Sequence, residues 1–319
     1  MALQIDPELG AILKARTGDV PPFPAADPAD FEAKRIFHAQ LMSTVDRRLS
    51  MPDDIEISTF YARALDGHDI AIYRFHKPSD NSSRRPAIVY VHGGGMVLGT
   101  ALGNKNSLAI QVSCTGVQAF SVEYRLAPEH AHPTLVEDVY AAVSWLSTNA
   151  EQFGIDPARI AVMGESAGGG IAAGVALLAR DRGLHPPLAK QILIYPMLDD
   201  RNTEPVPEIE AFAIFKVEEN TRSWRALLGD KYGTDDIPYY AAPARVESVQ
   251  GLPCTYMDVG TLDIFRDEVF QYASRLAFAN IQTEFHLYPG VPHGFDGMGR
   301  DITISKSAIE NRKRAIMSF

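Results

Sequence analysis

Residues 159–170 read Arg-Ile-Ala-Val-Met-Gly-Glu-Ser-Ala-Gly-Gly-Gly, and the rest of the chain is best read outward from them. RIAVMG (159–164) is short and continuously apolar, as a strand buried on both faces is. AGGGIAAGVALLAR (167–180) is rich in small residues and long enough for a helix. Between them Gly164, Ser166 and Gly168 make G-x-S-x-G. A serine on so sharp a strand-to-helix turn takes a strained backbone. Glycines on either side let strand and helix approach closely, so the hydroxyl projects above the sheet. Ser166 is therefore the candidate nucleophile. Residues 168–173 also fit G-x-G-x-x-A, but they fall inside the helix rather than at its entry, so no dinucleotide site is expected.

Similar apolar runs stand on both sides. PAIVYV (86–91) and VQAFSVEY (117–124) precede the serine; KQILIYP (190–196), CTYMDVG (254–260) and TEFHLYP (283–289) follow it. Helical periods lie between them, as in Val136, Val139, Val143 and Leu146, or Val269, Phe270, Ala273, Leu276 and Ala277. EISTFYAR (56–63) and DIAIYRF (69–75) flank Asp66-Gly67, a hairpin signal. Continuous strands alternating with helices predict an α/β protein with a mostly parallel, eight-stranded sheet covered on both faces. Two regions differ. Residues 1–50 carry helical periods (Leu9, Ile12, Leu13; then Phe31, Ile36, Phe37, Leu41) around the turn-rich stretch PPFPAADPAD (21–30). Residues 201–242 have no strand pattern but an aromatic cluster of Phe212, Phe215 and Trp224, and an insertion that long is usually functional. That leaves 51–200 and 243–319 for the sheet domain.

A chain of 319 residues with 46% hydrophobic content can bury a large core without a disulfide or metal staple, and is not disordered. Thirty Lys and Arg against 40 Asp and Glu give a net charge of −10. Such a surface repels phosphate backbones and anionic lipid, so neither nucleic acid nor a membrane is expected as a partner. Cys114 and Cys254 read as two reduced, buried thiols of a cytoplasmic protein. Residues 1–20 lack a continuous apolar segment, so no signal peptide is expected. Residues 167–179 are too few to cross a bilayer, which takes about 20. Asn81-Ser82-Ser83 matches a glycosylation sequon but has no meaning without a secretory route. His130 and His132 lack a third ligand and read as structural, and no metal or cofactor is expected.

His92-Gly93-Gly94-Gly95 directly follows PAIVYV. Three glycines leave several backbone N–H groups free to point at one developing negative charge, as acyl transfer requires. A serine hydroxyl also needs a base, and the base an orienting carboxylate, here in the chain order Ser, acid, His. His293 lies in the loop PGVPHGFDG (289–297) after the last strand; His286 sits inside that strand as a pleat residue. GTLDIFRDE (260–268) offers Asp263, Asp267 and Glu268. Asp263 is on the loop nearest the strand end, whereas Asp267 and Glu268 begin a helix and suit its positive N-terminus.

Together with YRLAPEH (124–130), EDVYAAVSWL (137–146) and GESAGGG (164–170), these segments resemble the hormone-sensitive lipase family of α/β-hydrolases, the bacterial family IV esterases. The resemblance runs from the first strand onward. It implies an α/β-hydrolase fold with a helical cap, matching 1–50 and 201–242. It implies Ser166 as nucleophile, His293 as base and Asp263 as its partner. The oxyanion hole would be the N–H groups of Gly94, Gly95 and Ala167, with His92 and Gly93 supporting the loop. The activity implied is hydrolysis of short- to medium-chain acyl esters through an acyl-enzyme, without cofactor. An amidase, lactonase or peptidase would use the same groups, whereas a silent receptor on this scaffold would have lost one of the three. Met96 stands where the family usually has an aromatic residue, Glu165 where Asp or Thr is commoner, and Asp263-Ile264-Phe265 where D-P-L is common. Met96, Phe212 and Phe215 are candidates for an acyl pocket. TEFHLYP is expected at a sheet edge, with Phe285 and Leu287 on one face and Glu284 and His286 on the other, an invitation to pair with a second copy.

Overall fold

The structure, a computed structural model, describes residues 3–15, 30–78 and 84–319. Residues 21–29 of the turn-rich stretch and the sequon at 81–83 lie outside the described residues. Eight strands form one sheet: β1 (Glu56–Arg63), β2 (Asp69–His76), β3 (Arg85–Val91), β4 (Gln118–Val122), β5 (Ile155–Glu165), β6 (Lys190–Ile194), β7 (Cys254–Gly260) and β8 (Thr283–Tyr288). Their order is β1-β2-β4-β3-β5-β6-β7-β8. β1 and β2 are the antiparallel hairpin, turned at Gly67 with φ 86°, and β2 is antiparallel to β4; every other pairing is parallel. The continuous apolar runs have the expected cause. β4 is buried at every position and β3 from Ala87 onward, while the edge strands β1 and β8 are largely part-exposed.

The helices are α1 (Pro7–Ala15), α2 (Phe31–Asp46), α3 (Lys105–Thr115), α4 (Thr134–Asn149), α5 (Ala167–Asp181), α6 (Pro207–Glu210), α7 (Val217–Leu228), α8 (Arg266–Phe278), α9 (Phe295–Met298) and α10 (Thr303–Met317). α4 packs on α5 along one face of the sheet, and α3 meets α10 on the other. Among the described residues, no helix is long and apolar enough to cross a membrane. α5 shows why its sequence is so poor in large side chains. A Cβ on Gly170 would stand 2.0 Å from the Met197 carbonyl oxygen, and one on Gly174 2.3 Å from that of Tyr240. Only glycine lets this helix lie so close to its neighbours.

The strand order reverses between β3 and β5, so the chains leaving their C-terminal ends diverge and open a crevice. The loops carrying His92–Gly95 and Ser166 both begin there. A helical cap lies over this end. Its α7 places Ser223 against Gly95, and Arg35 of α2 reaches the Val97 carbonyl at 2.8 Å. The halves of the cap meet where Lys34 of α2 pairs with Glu219 of α7 at 3.4 Å. Cys114 and Cys254 are unbridged. The expectation that both are buried is corrected: Cys114, near the end of α3, is exposed, and Cys254, the first residue of β7, is partly so.

Candidate active site

Ser166 follows β5 and precedes α5 with φ 56° and ψ −123°. A non-glycine residue so placed costs about 1–3 kcal/mol, so its surroundings must enforce it. They do so through backbone contacts. The Ser166 N–H donates to the Ile194 carbonyl at 2.9 Å, and its own carbonyl accepts from Met197 at 3.0 Å and Gly170 at 3.1 Å. A Cβ on Gly164 would meet the Gly168 oxygen at 2.1 Å, and one on Gly168 the Val91 oxygen at 2.2 Å. The two flanking glycines are thus a steric condition of the turn.

The loop after β8 brings His293 to the serine, and the loop after β7 brings Asp263 to the histidine. The His293 Nε2 lies 2.9 Å from the Ser166 Oγ, and the Nδ1 lies 2.8 Å from the Asp263 Oδ2. Asp263 is fully buried, and its Oδ1 accepts from the Phe265 N–H at 2.9 Å. A carboxylate accepts only, so Nδ1 carries the hydrogen and Nε2 offers its lone pair to the serine hydroxyl. Three rings surround the imidazole: Tyr195 at 4.7 Å, Phe265 at 5.1 Å and Phe215 of the cap at 6.0 Å. The other candidates are elsewhere. His286 pairs with Glu284 within β8, and Asp267 pairs with Arg266 at the surface. Glu268 is not merely a first-turn acid. It is buried, and its Oε1 accepts from the N–H groups of Leu198 (2.6 Å) and Asp199 (3.2 Å), where the chain leaves β6 for the cap. Burial pushes its carboxyl well above the usual range.

In the loop after β3, Gly94 has φ 122° and Gly95 φ 60°, and a Cβ on Gly94 would stand 2.2 Å from the Leu98 oxygen. The N–H groups of Gly94, Gly95 and Ala167 take no backbone partner among the described residues. Ala167 is also the first residue of α5, where the helix dipole is positive. His92 is buried under this loop, its Nδ1 donating to the Gly93 carbonyl at 2.8 Å and its ring stacked on Tyr124 at 4.2 Å. Burial lowers it to about 4, so the ring stays neutral. Among the described residues, no three His, Cys, Asp or Glu are grouped to hold a metal ion.

Of the pocket candidates, Phe215 stands close to both His293 and Gly95, with its ring tip 3.8 Å from a Cβ built on the glycine. Met96 is fully buried with φ 67°. Phe212 is half-buried beyond α6 and takes no part in the rings around His293. Two neighbours of the site escaped the sequence. Ser223 lies 2.7 Å (Oγ) from a Cβ built on Gly95, and the spacing Asn220, Ser223, Trp224, Leu227 on one helical face could have found it. Arg35 bonds the Val97 and Ala127 carbonyls, each at 2.8 Å, and a single arginine in a polar helix gives no signal. A cavity of about 230 Å³ between the cap and α8, lined by Asp199, Asn202, Val217, Ile264 and Glu268 among others, includes none of Ser166, His293 and Asp263.

This sheet, with a serine–histidine–aspartate row at its point of reversal, defines the class of serine hydrolases of α/β-hydrolase fold. A family model described as the alpha/beta hydrolase fold matches residues 88–297. The chain is 34% identical over 226 residues to esterase LipI of Mycobacterium tuberculosis, covering 68% of each. It is 30% identical over 306 residues to an ethyl acetate hydrolase of Pseudomonas putida, covering 93% of each. The solved structure of a bacterial heroin esterase superposes with a TM-score of 0.89 at 36% identity, over 98% of this chain and 97% of that one. The chain belongs to the α/β-hydrolase fold family and is a serine carboxylic-ester hydrolase acting on a small-molecule ester.

Proposed function

We propose that Ser166 is the nucleophile, His293 its base, and Asp263 the group that orients the base. The observation that carries this is the continuous row from Oγ through the imidazole to a buried carboxylate, 2.9 and 2.8 Å, on a serine held at positive φ. The Ser166 Oγ attacks the ester carbonyl as its proton passes to the His293 Nε2. The oxyanion is held by the N–H groups of Gly94, Gly95 and Ala167, with His92 and Gly93 supporting that loop. His293 then gives the proton to the leaving alcohol. Water, deprotonated by the same nitrogen, releases the acid and restores the serine. No step calls for a metal or a cofactor.

The substrates are short- to medium-chain acyl esters, and residues 1–50 and 201–242 are the cap that limits them, with 51–200 and 243–319 as the catalytic domain. Phe215, Met96, Phe212 and Ser223 are assigned to the acyl pocket; support comes from Phe215 and Ser223, which crowd Gly95 from above. Each further buried methylene adds about 0.8 kcal/mol until the pocket is full, after which clashes begin. The acidic surface supports a cytoplasmic enzyme that binds neither nucleic acid nor membranes. A homodimer through β8 is part of the reading. That strand is an open edge, with Leu287, and Phe270 and Phe278 of α8, exposed nearby. A p-nitrophenyl ester series tests the substrate range: kcat/KM should peak between acetate and octanoate and drop for palmitate. Equal turnover of butyrate and palmitate, with activation at an oil–water interface, would make it a lipase for emulsified fats. Light scattering showing a monomer at micromolar concentration removes the dimer.

A further inference from the structure

The loop that carries His293 is anchored differently on its two sides. Upstream the anchors reach its backbone: the Leu262 N–H donates to the Val291 carbonyl at 3.1 Å, and the Gly290 N–H donates to the Thr261 Oγ1 at 2.8 Å. Downstream, the backbone hydrogen bonds of residues 294–299 are local, such as those from Gly297 to Gly294 and from Gly299 to Phe295. Gly294 itself has φ 68°, with nothing within 4 Å of a Cβ built on it. Side chains tie this half of the loop to the body. Asp296, three residues after His293, is paired with Arg312 of α10. The guanidinium is buried, and it also donates two hydrogen bonds to the fully buried Asp258 of β7, at 2.7 and 3.0 Å. Tyr195, where the chain leaves β6, donates its hydroxyl to the Asp296 Oδ1 at 3.2 Å and its N–H to the Asp258 carbonyl at 2.8 Å. The Tyr195 ring lies 5.3 Å from the guanidinium carbon and stands edge-on to the imidazole of His293 at 4.7 Å.

One guanidinium thus joins β7 to the chain leaving β6 and to the loop that follows β8. We propose that Arg312 is a positioning residue for His293, acting through Asp296 and Tyr195. This rests on His293 being the base. The fork of Arg312 reaches both oxygens of Asp258 and one of Asp296 at once, which fixes direction as well as distance. Asp258 is the fixed end, because its strand is paired with β6 on one side and β8 on the other. The loop of Asp296 is the end that is held. The imidazole must meet Ser166 at 2.9 Å and Asp263 at 2.8 Å together, so it tolerates little drift. A misplacement of about 1 Å in such a row can cost about a hundredfold in rate. Tyr195 adds a wall: with its hydroxyl and N–H both tied to the cluster, its ring limits how far the imidazole can swing.

The test measures kcat and KM well below the melting temperature, together with the far-downfield proton NMR signal of the Nδ1–H that His293 shares with Asp263. Arg312→Lys keeps a cation but not the fork, and should lower kcat about a hundredfold with little change in KM. Asp296→Asn keeps the shape and loses the charge, and should lower kcat about tenfold. The NMR signal should shift or broaden in both. Arg275→Lys is the control. That arginine bonds the Ala244 and Val246 carbonyls, so its loss should lower the melting temperature and leave kcat and the signal alone. A folded Arg312 or Asp296 variant with wild-type kcat, a change confined to KM, or a lower kcat with the signal unmoved would each overturn the proposal. Should both variants fail to fold, Tyr195→Phe decides: it removes one hydroxyl, and should lower kcat about threefold and move the signal. No change in either refutes the idea. His293→Ala should abolish turnover and the signal together. Turnover that survives it overturns the functional reading and this inference at once.

Discussion

Two helices touch the same crevice and are held in opposite ways. α5, behind the serine, has 13 of its 15 residues buried, none of them charged, and enters at a turn where a Cβ on either flanking glycine would stand near 2 Å from a backbone oxygen. α2, in the cap, buries only Lys34 and Asp46 of its 16 residues, and both are charged. Its hold on the body is Arg35 bonded to two carbonyls and to Glu129, and Asp46 bonded to Asn106. Packing leaves α5 one position. Hydrogen bonds and ion pairs leave α2 a preferred position from which it can be displaced at modest cost. The helix behind Ser166 is fixed by packing, and the cap helix is tied to the body by polar contacts.

Removing chemistry from the rigid side gives the largest effect. Ser166→Ala should lower kcat/KM by about four powers of ten or more and abolish labelling by a fluorophosphonate, read by intact mass. Its melting temperature should stay near that of the wild type, because the change deletes one half-buried hydroxyl. Gly168→Ala attacks the packing instead. Its Cβ would meet two backbone oxygens, at 2.2 and 2.4 Å, neither of which can yield without moving the strand end. A loss of about 3 kcal/mol, with labelling lost as well, is expected in denaturant melts. Gly183→Ala is the control. That glycine has φ 64° but nothing within 4 Å, so about 1 kcal/mol and no change in activity should follow. Equal effects at the two glycines would mean that conformation, not contact, governs α5.

The same contrast sets what the sequence reveals. Contact-limited positions leave glycines at fixed offsets from a serine and apolar runs of strand length, so Ser166, Gly94, Gly95 and all eight strands were legible. Asp263 was legible because it follows the end of β7 directly, within reach of the loop after β8. The cap was legible only as an irregularity, since its position depends on pairs such as Arg35–Glu129, 94 residues apart, and Lys34–Glu219, 185 apart. Charged residues of either sign are common on any surface, and nothing local says which two will meet. Glu268 was read only in part for a related reason. Its place in the first turn of α8 explains an acid there, but not the two N–H groups that reach it from the chain leaving β6, 69 and 70 residues away.

Arg35→Ala should show the looser hold directly. Four hydrogen bonds go with the guanidinium, and the Val97 carbonyl sits two residues beyond Gly95. A loss of about 1–3 kcal/mol is expected for the cap's docking. KM for a butyrate ester should rise several-fold while phosphonate labelling persists at Ser166. Hydrogen exchange should quicken in α2 and stay unchanged in α5. Faster exchange in both would show that the cap supports the sheet domain, and the contrast between the helices would fail.

The smallest effect separates the two regions by pH. Arg35 holds the Glu129 carboxyl down at about 2, chiefly by hydrogen bonding. A carboxylate whose folded value is depressed stabilises the fold above its unfolded value, about 4.3, and loses that contribution as pH falls toward the folded one. Glu129 is 54% exposed, so screening reduces the pair to less than about 1 kcal/mol. Glu129→Gln should melt about one or two degrees below the wild type at pH 6, and the gap should close as the pH is lowered below 4. Half-molar salt should narrow it at pH 6 as well, because the pair is exposed. A gap that ignores both pH and salt would make Glu129 a packing residue, and the cap would then be held as the Ser166 turn is.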